Sequence, residues 1–527
     1  MAAPNDSYIA PIFRKRVADN WRTAARFNCP LKRFHHISLR YTPAGFFLID
    51  REITLPKLSW MLALAFAIAA VALTLSPAIV TGALIACAFW ALVGPRQAIQ
   101  AMTLSVFIGY ANPALVSFGA ASGALMRLVL LAAAIRVLPL VRIKDVSVLW
   151  PAWAFSLLAA LLSAHASPAP AISLMKIVTF AVAVTTVIVA FSRVRSGALP
   201  SLEKWFWTLA VVMVALSALT LLYPHAAFFR NGRGLQGVLN HPQALGTVLA
   251  PLVAWLVAGV LLIRARIKPI YIASVIGFCA VMFLTQARTA AVAAVIAIVV
   301  AAIKWTLTNR KPGHAGWGRV ALVMVLGCVA VVGVDVTTGK VSTGIEKFVF
   351  KRGEHDVGDA FLASRGGGMI AQWQHFLDKP VTGNGFGVYA DGRFPSGVVE
   401  FMGIPISAPV EKGFVPTAVL EETGLFGGLL FVTMLFVLGR MIWRTQDYRW
   451  LAMFAACLAV NLGEAVILAP GGVGLLIWLF IGRALAMSRA SVKKREVKAT
   501  TVAQGQMQAD EAARVAAQCA PPSLQLP

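Results

Sequence analysis

The chain has 527 residues and a formal net charge of +25, yet only 13% of its residues are charged and 59% are hydrophobic. Mean hydropathy is +0.76 and the charged fraction is about half the ~25% of a soluble globular domain, which excludes a soluble enzyme and makes this a membrane protein. The basic residues are spread through the connections between apolar runs rather than gathered into one patch, which argues for membrane topology and against nucleic acid as the partner.

Residues 1–57 are polar and basic and contain no cleavable signal peptide, so the first apolar run is expected to act as its own insertion signal. Within this cytoplasmic arm, YIAPIFRKRVADNWRTAARF reads equally well as a basic amphipathic helix on anionic lipid or as a solvated arm. Apolar runs close to the ~20 residues that cross a bilayer then predict spans at 58–76, 78–94, 97–119, 122–140, 147–165, 169–191, 203–223, 240–263, 268–285, 287–306, 319–337, 414–439, 448–467 and 469–487. The expected fold is thus an all-α polytopic membrane protein of about fourteen (12–14) transmembrane helices. Eleven spans occupy 58–337, a large periplasmic loop with short amphipathic helices occupies 338–413, three more spans occupy 414–487, and a disordered cytoplasmic tail occupies 488–527.

Orientation follows from the connections, since cytoplasmic loops are enriched in Lys and Arg. Every second connection is basic: Arg96, then Arg142 and Lys144, then Arg193, Arg195 and Lys204, then Arg264, Arg266 and Lys268, then Arg310, Lys311 and Arg319, then Arg440, Arg444 and Arg449. The short connections between them, around Ser76, 111–119, 164–170 and 469–472, hold no Lys or Arg. Both termini are therefore expected in the cytoplasm of a bacterial inner membrane. The long segment 338–413 carries eight basic and eight acidic residues, so it is neutral, unlike the cytoplasmic loops. None of the six cysteines falls in it, and no disulfide is expected.

Soluble-enzyme signatures such as a P-loop, HExxH or GxSxG are absent, and no metal or cofactor is expected. The string GNGFG at 383–387 follows no strand and opens no helix, so it reads as a turn rather than a dinucleotide site. The polar residues that remain gather on the predicted outer side. YPHAAFFRNGRGLQGVLNHPQALG brings Arg230, Arg233, Asn240 and His241 there, with Asn240 expected to cap the following helix and His241 to lie in its first turn. FLTQARTAAVAAV places Arg288 in a tight turn between two spans. Guanidinium groups on a side otherwise nearly free of positive charge suit phosphate oxygens, which they bind bidentately. Arg365 precedes MIAQWQHFL, in which Met369, Trp373, Phe376 and Leu377 recur at helical spacing and predict a short amphipathic helix on the membrane surface.

PVEKGFVPTAVLEETGLFGG, residues 409–428, then puts Glu411 and Lys412 just before a helix and Glu421 and Glu422 inside it. With Pro416 in the first turn, Glu421 lies about 7–8 Å below the helix start, where pairing with an arginine is the expected role of the two inner carboxylates.

In order, NHPQALG (240–246), TQARTAA (285–291), SRGGGMIAQWQHFLDKPVTGNGFG (364–387) and residues 409–428 resemble the O-antigen ligase and Wzy-type polymerase superfamily of bacterial membrane glycosyltransferases. The resemblance covers about 225–440. It implies a metal-independent transferase that takes a glycan from an undecaprenyl diphosphate donor at the periplasmic face, with membrane lipid and other polysaccharide assembly proteins as further partners and no nucleic acid. By resemblance Arg288 would hold the diphosphate, while Arg365 and the Trp373 segment would shape the donor cavity. Ligases of the family carry a His just before the last motif helix, where this chain has Glu411-Lys412-Gly413. Glu411 is accordingly the candidate base or acceptor-positioning group, with Lys412 for a phosphate or sugar contact, Arg230, Arg233 and His241 for further substrate contacts, and Trp373, Glu421 and Glu422 for structure or pairing. The expected activity is polymerisation of a surface polysaccharide or exopolysaccharide. A ligase acting on lipid A-core, and a transporter or lipid-linked oligosaccharide flippase, are the alternatives.

Overall fold

A computed structural model of the protein describes residues 77–117, 122–230, 232–262, 269–308, 366–394, 397–401, 403–410 and 412–518. The expected spans 58–76 and 319–337, together with Arg365 and Glu411, lie outside the described residues. In chain order the helices are α1 (Pro77–Val93), α2 (Pro95–Gly109), α3 (Ser122–Val137), α4 (Ile143–Ala166), α5 (Pro170–Arg193), α6 (Leu199–Leu219), the short α7 (Pro224–Ala227), α8 (Pro242–Leu262), α9 (Pro269–Leu284), α10 (Arg288–Thr308) and α11 (Gly367–Asp378). An antiparallel hairpin of β1 (Val399–Phe401) and β2 (Ile404–Ser407) follows, then α12 (Val415–Trp443), α13 (Tyr448–Ala459) and α14 (Val473–Gln518).

Proline sets many of these starts. Pro77, Pro95, Pro170, Pro224, Pro242 and Pro269 each occupy the first helical position, where the missing N–H would have had no partner and φ is already helical. Among the described residues, eight helical segments are long and apolar enough to cross a membrane, and the shorter apolar segments Pro77–Val93, Pro269–Leu284 and Tyr448–Leu462 accompany them. The chain is a helical multi-pass membrane protein. Large apolar side chains stay exposed along α12 (Leu425, Leu429, Val432, Phe436) and α10 (Val292, Val295, Val299), the pattern of a surface that meets hydrocarbon rather than water.

Two expectations change. The run 97–119 is not one span: α2 ends at Gly109, and the chain turns through Asn112, which is fully buried and whose Nδ2 donates to Ala226 O and Gly237 O, both at 2.7 Å. Beyond Gly109, Ala111 bridges Leu239, and Leu115 and Val116 pack with Val80, Leu84 and Met126 of α1 and α3. The tail after 488 is helical through Gln518, because it is rich in Ala, Lys, Glu, Gln and Arg and meets no proline before Pro521. Described residues up to Val492 belong to one compact unit, and residues from Lys493 onward to a second.

Within the first unit the connections sort to two ends. At the basic end Arg193 pairs with buried Asp145 and its Nε donates to Leu140 O at 2.8 Å. There too Arg483 Nε donates to Glu203 Oε2 at 2.8 Å and Lys304 Nζ donates to Thr445 O at 2.6 Å. At the other end, the site end, Asn240 N donates to Tyr110 O, Leu235 N to Leu284 O and Phe386 N to Ser163 Oγ. The alternation read from Lys and Arg is therefore the alternation of the helices themselves.

The string 383–387 lies in a turn, as expected, and it is anchored from below. Phe386 is buried to 1% exposure and meets Phe180 at 5.9 Å and Phe155 at 6.0 Å between ring centroids. This aromatic plug fixes the turn to α4 and α5, which places its neighbours 383–385 against α12.

Candidate functional site

The site is built where α12 breaks. Gly424 has φ 63° and ψ −170°, so the helix is interrupted after Thr423 and resumes at Leu425. The turn 380–385 docks into that interruption: Leu425 N donates to Pro380 O at 2.8 Å, Asn384 N to Glu421 O at 2.8 Å and Gly385 N to Glu422 O at 3.0 Å. Carbonyls released by the break are thus satisfied by turn amides, as buried backbone groups require. Gly383 (φ 65°) makes the approach possible, since a Cβ there would stand 2.6 Å from the Glu422 carbonyl.

Gly424→Ala is expected to lower the thermal midpoint of the purified protein clearly. The left-handed φ alone costs a side chain ~1–2 kcal/mol, and the new Cβ would stand 2.2 Å from Val381 O. Gly397→Ala, at φ 74° but with open space around its Cβ, is expected to carry the conformational cost only, and a midpoint as low as that of Gly424→Ala would contradict the docking described.

The break turns Glu421 and Glu422 inward, and both are 2% exposed. Lys412 Nζ lies 2.7 Å from Glu421 Oε2 and 4.0 Å from Glu422 Oε1, and 5.7 Å from the centroid of Tyr389. The second oxygen of Glu421 is held by α11: His375 Nδ1 is 2.9 Å from Glu421 Oε1. Gln372, also on α11, donates from Nε2 to Lys412 O at 2.6 Å and accepts from Thr417 Oγ1. Asn384 Nδ2 donates to His375 O at 3.2 Å. From α5, Lys176 reaches the carbonyl of Gly387. Among the described residues Glu422 Oε2 has no hydrogen-bond partner.

Chemically this is an imidazole oriented by a buried, ion-paired carboxylate. In the tautomer that carries its proton on Nδ1, His375 donates to Glu421 and leaves the Nε2 lone pair free, the logic by which a carboxylate sets the tautomer of a general base. The His375 side chain is 42% exposed while Glu421 is 3% exposed, so the ring faces outward from a fixed foundation.

Expectation and structure compare as follows. Glu421 and Glu422 are in pairing roles, but the partner of Glu421 is Lys412 with His375, not an arginine. Lys412 is turned inward to the carboxylates instead of outward to a phosphate or sugar. Its buried ammonium bonds Glu421 and stands 4.0 Å from Glu422, so it offsets charge that apolar surroundings would otherwise leave uncompensated. Trp373 is 46% exposed with its ring 5.2 Å from Phe376, on an α11 whose outward side also carries Ile370 and Leu377.

The second group of residues lies at the same end. Leu235 N donates to Leu284 O, and a Cβ on Gly234 would stand 2.4 Å from Thr285 O and 3.1 Å from Pro242 Cβ. The connection bearing Arg230, Arg233 and His241 is therefore packed on the turn that leads into Arg288, the first residue of α10. Arg230 and Arg233 are exposed and Arg288 is half-buried. His241, rather than Asn240, caps α8, its Nδ1 accepting from Gln243 N at 3.1 Å. Asn240 instead extends the bridge to α2 through its backbone.

His375 stood in the sequence only as one polar residue of an amphipathic helix; its partner is separated from it by the whole hairpin segment, and no local spacing links the two. Among the described residues no group of three or more His, Cys, Asp or Glu side chains is arranged to hold a metal ion. No family model and no curated protein matches the sequence.

Proposed function

We propose that this chain is a glycosyltransferase of the bacterial inner membrane that polymerises lipid-linked repeat units of a surface polysaccharide or exopolysaccharide at the periplasmic face, with undecaprenyl diphosphate as leaving group. The observation that carries the reading is the His375–Glu421–Lys412 constellation, a base-type arrangement at the end of the bundle opposite the basic connections. That end faces the periplasm when the Lys- and Arg-rich end faces the cytoplasm.

His375 takes over the role of base that the sequence assigned to Glu411. Its Nε2 would accept the proton of the acceptor hydroxyl as that oxygen attacks the anomeric carbon of the donor sugar. The bond from that carbon to the diphosphate oxygen breaks, and the electron pair leaves with the diphosphate. Glu421 is a positioning residue, holding the ring and offsetting the imidazolium that forms. The cationic groups of the 230–241 and 284–288 corner supply the field that a departing diphosphate needs.

The test is a transfer assay with purified protein in lipid nanodiscs and a polyprenyl diphosphate-linked repeat unit. A ladder of lengthened glycans from wild type supports polymerisation. Attachment of the glycan to an added lipid acceptor without a ladder moves the assignment to a ligase, and movement of the intact lipid across vesicles without transfer overturns the enzyme reading.

A further inference from the structure

α12 is longer than a hydrocarbon core is thick, and its break marks where the hydrocarbon ends. Beyond Gly424, residues 425–443 run roughly 28 Å at 1.5 Å per residue, close to the ~30 Å that a span must cross. Along this part Leu425, Phe426, Phe436 and Trp443 are exposed, whereas Val415, Val419 and Leu420 before the break are not. At its far end Trp443 stands between Arg440 and Arg444, the mixture of indole and cation found at a membrane–water boundary. The break is therefore at the opposite boundary. Glu421, one turn before Leu425, lies no more than roughly 6 Å from it, at the level of the headgroups.

α11 lies beside this end of α12. The contacts advance along both chains together, from Gln372 with Thr417, through His375 with Glu421, to the Pro380 carbonyl with Leu425 N. Sequence periodicity gives Met369, Trp373, Phe376 and Leu377 as the membrane face. The structure turns Phe376 into the protein and half-buries Met369, so the free face is instead Ile370, Trp373 and Leu377, at i, i+3 and i+7, continued by Val381. These four are 46–58% exposed, and the polar Gln374, Asp378 and Lys379 are exposed beside them. A Cβ on Gly424 would stand 2.2 Å from Val381 O, so the stripe runs on into Leu425 and Phe426, where the hydrocarbon-facing surface of α12 begins.

We propose that the stripe of Ile370, Trp373, Leu377 and Val381 is seated at the boundary between headgroups and acyl chains of the leaflet at the site end. This seating, with the bonds to α12, holds His375 at headgroup depth. An apolar row containing Trp beside a polar one is the make-up of a helix that lies in the interface. Lipid is the partner because the stripe is continuous with a surface that already faces lipid and meets it at the depth where that surface starts. The inference rests only on the chain crossing a membrane, and it holds whether or not the chain transfers glycans.

The full-length protein would be placed in nanodiscs of phosphatidylcholine carrying bromine near the headgroup end of the acyl chains, near their methyl ends, or not at all. The emission of Trp373 is read as the difference between wild type and Trp373→Phe. It is expected to be blue-shifted, quenched most by bromine near the headgroup end, and little affected by iodide in the water. Two further variants in the Trp373→Phe background move the reporter: Leu377→Trp is expected to behave as Trp373 does, and Asp378→Trp to be reached by iodide instead. Both positions are exposed, and the thermal midpoint checks that each variant folds. Quenching by iodide and not by brominated lipid at 373 and 377 places the stripe in water. Insensitivity to both quenchers means that a second copy or another segment of the chain covers it, and stronger quenching from the methyl ends places it too deep. Each of these three results overturns the proposal.

Discussion

If the chain transfers glycans as proposed, replacing His375 with Ala is expected to lower the rate of transfer by about 10²–10⁴-fold, the range that a positioned general base contributes, and to leave the thermal midpoint close to wild type. Stability is little affected because the ring is 42% exposed, and Glu421 keeps its bond to Lys412 Nζ at 2.7 Å. The loss falls on kcat rather than KM, since proton removal belongs to the transition state. Added imidazole restores part of the rate in His375→Ala, because the space left by the side chain opens outward. Rescue of this kind separates a base from a residue that only supports the fold. Glu421→Gln also loses rate, by less, and it gains nothing from imidazole. A His375→Ala protein with wild-type kcat would remove the imidazole from the mechanism.

Lys412→Met destabilises the protein by about 3–5 kcal/mol, the usual cost of removing one partner from a buried ion pair. The ammonium side chain is 5% exposed, and it faces Glu421 and Glu422 with 3% and 2% of their side chains exposed. Without it, two carboxylates remain in apolar surroundings with Asn384 N and Gly385 N already committed to their backbone carbonyls. Thermal or denaturant unfolding in detergent reads the effect. The double variant Lys412→Met/Glu421→Gln recovers part of the loss, because one of the stranded charges is gone while the contact to His375 persists as a neutral hydrogen bond. A double variant less stable than Lys412→Met would mean that Glu421 contributes through something other than charge compensation.

Much of the fold was legible because a bilayer reduces the problem to runs of apolar residues and the charges between them. The runs 78–94, 169–191 and 268–285 became the helices Pro77–Val93, Pro170–Arg193 and Pro269–Leu284, of which the second is long enough to cross a membrane, each opened by a proline that a hydropathy window does not weigh. The window failed at 97–119, where Asn112-Pro113 marks a turn inside an apolar run, Asn112 is bonded to the 226–240 connection and Val116 beyond it packs with Val80, Leu84 and Met126. It also failed to see that Lys, Glu, Gln and Ala after residue 488 continue a helix already begun at Val473.

The site was half legible. Two carboxylates inside an apolar helix announce a partner, and Lys412 was one of the few cations nearby. That the partner was this lysine depended on a helix break at Gly424, which a glycine in a membrane helix does not by itself reveal. The link to His375 was out of reach, because it depends on the turn 379–387 folding α11 back over the start of α12.

The turn seated in the α12 break carries a consequence for biogenesis. Residues 380–385 leave the ribosome before the helix that supplies their partners, Glu421, Glu422 and Leu425, at a synthesis rate of ~5–20 residues per second. For some seconds the turn lacks its α12 partners, and the contacts of Phe386 and Gly387 with α4 and α5 hold its place. Folding of α12 then closes the clasp, so a late segment of the chain completes a site whose other half was made well before it.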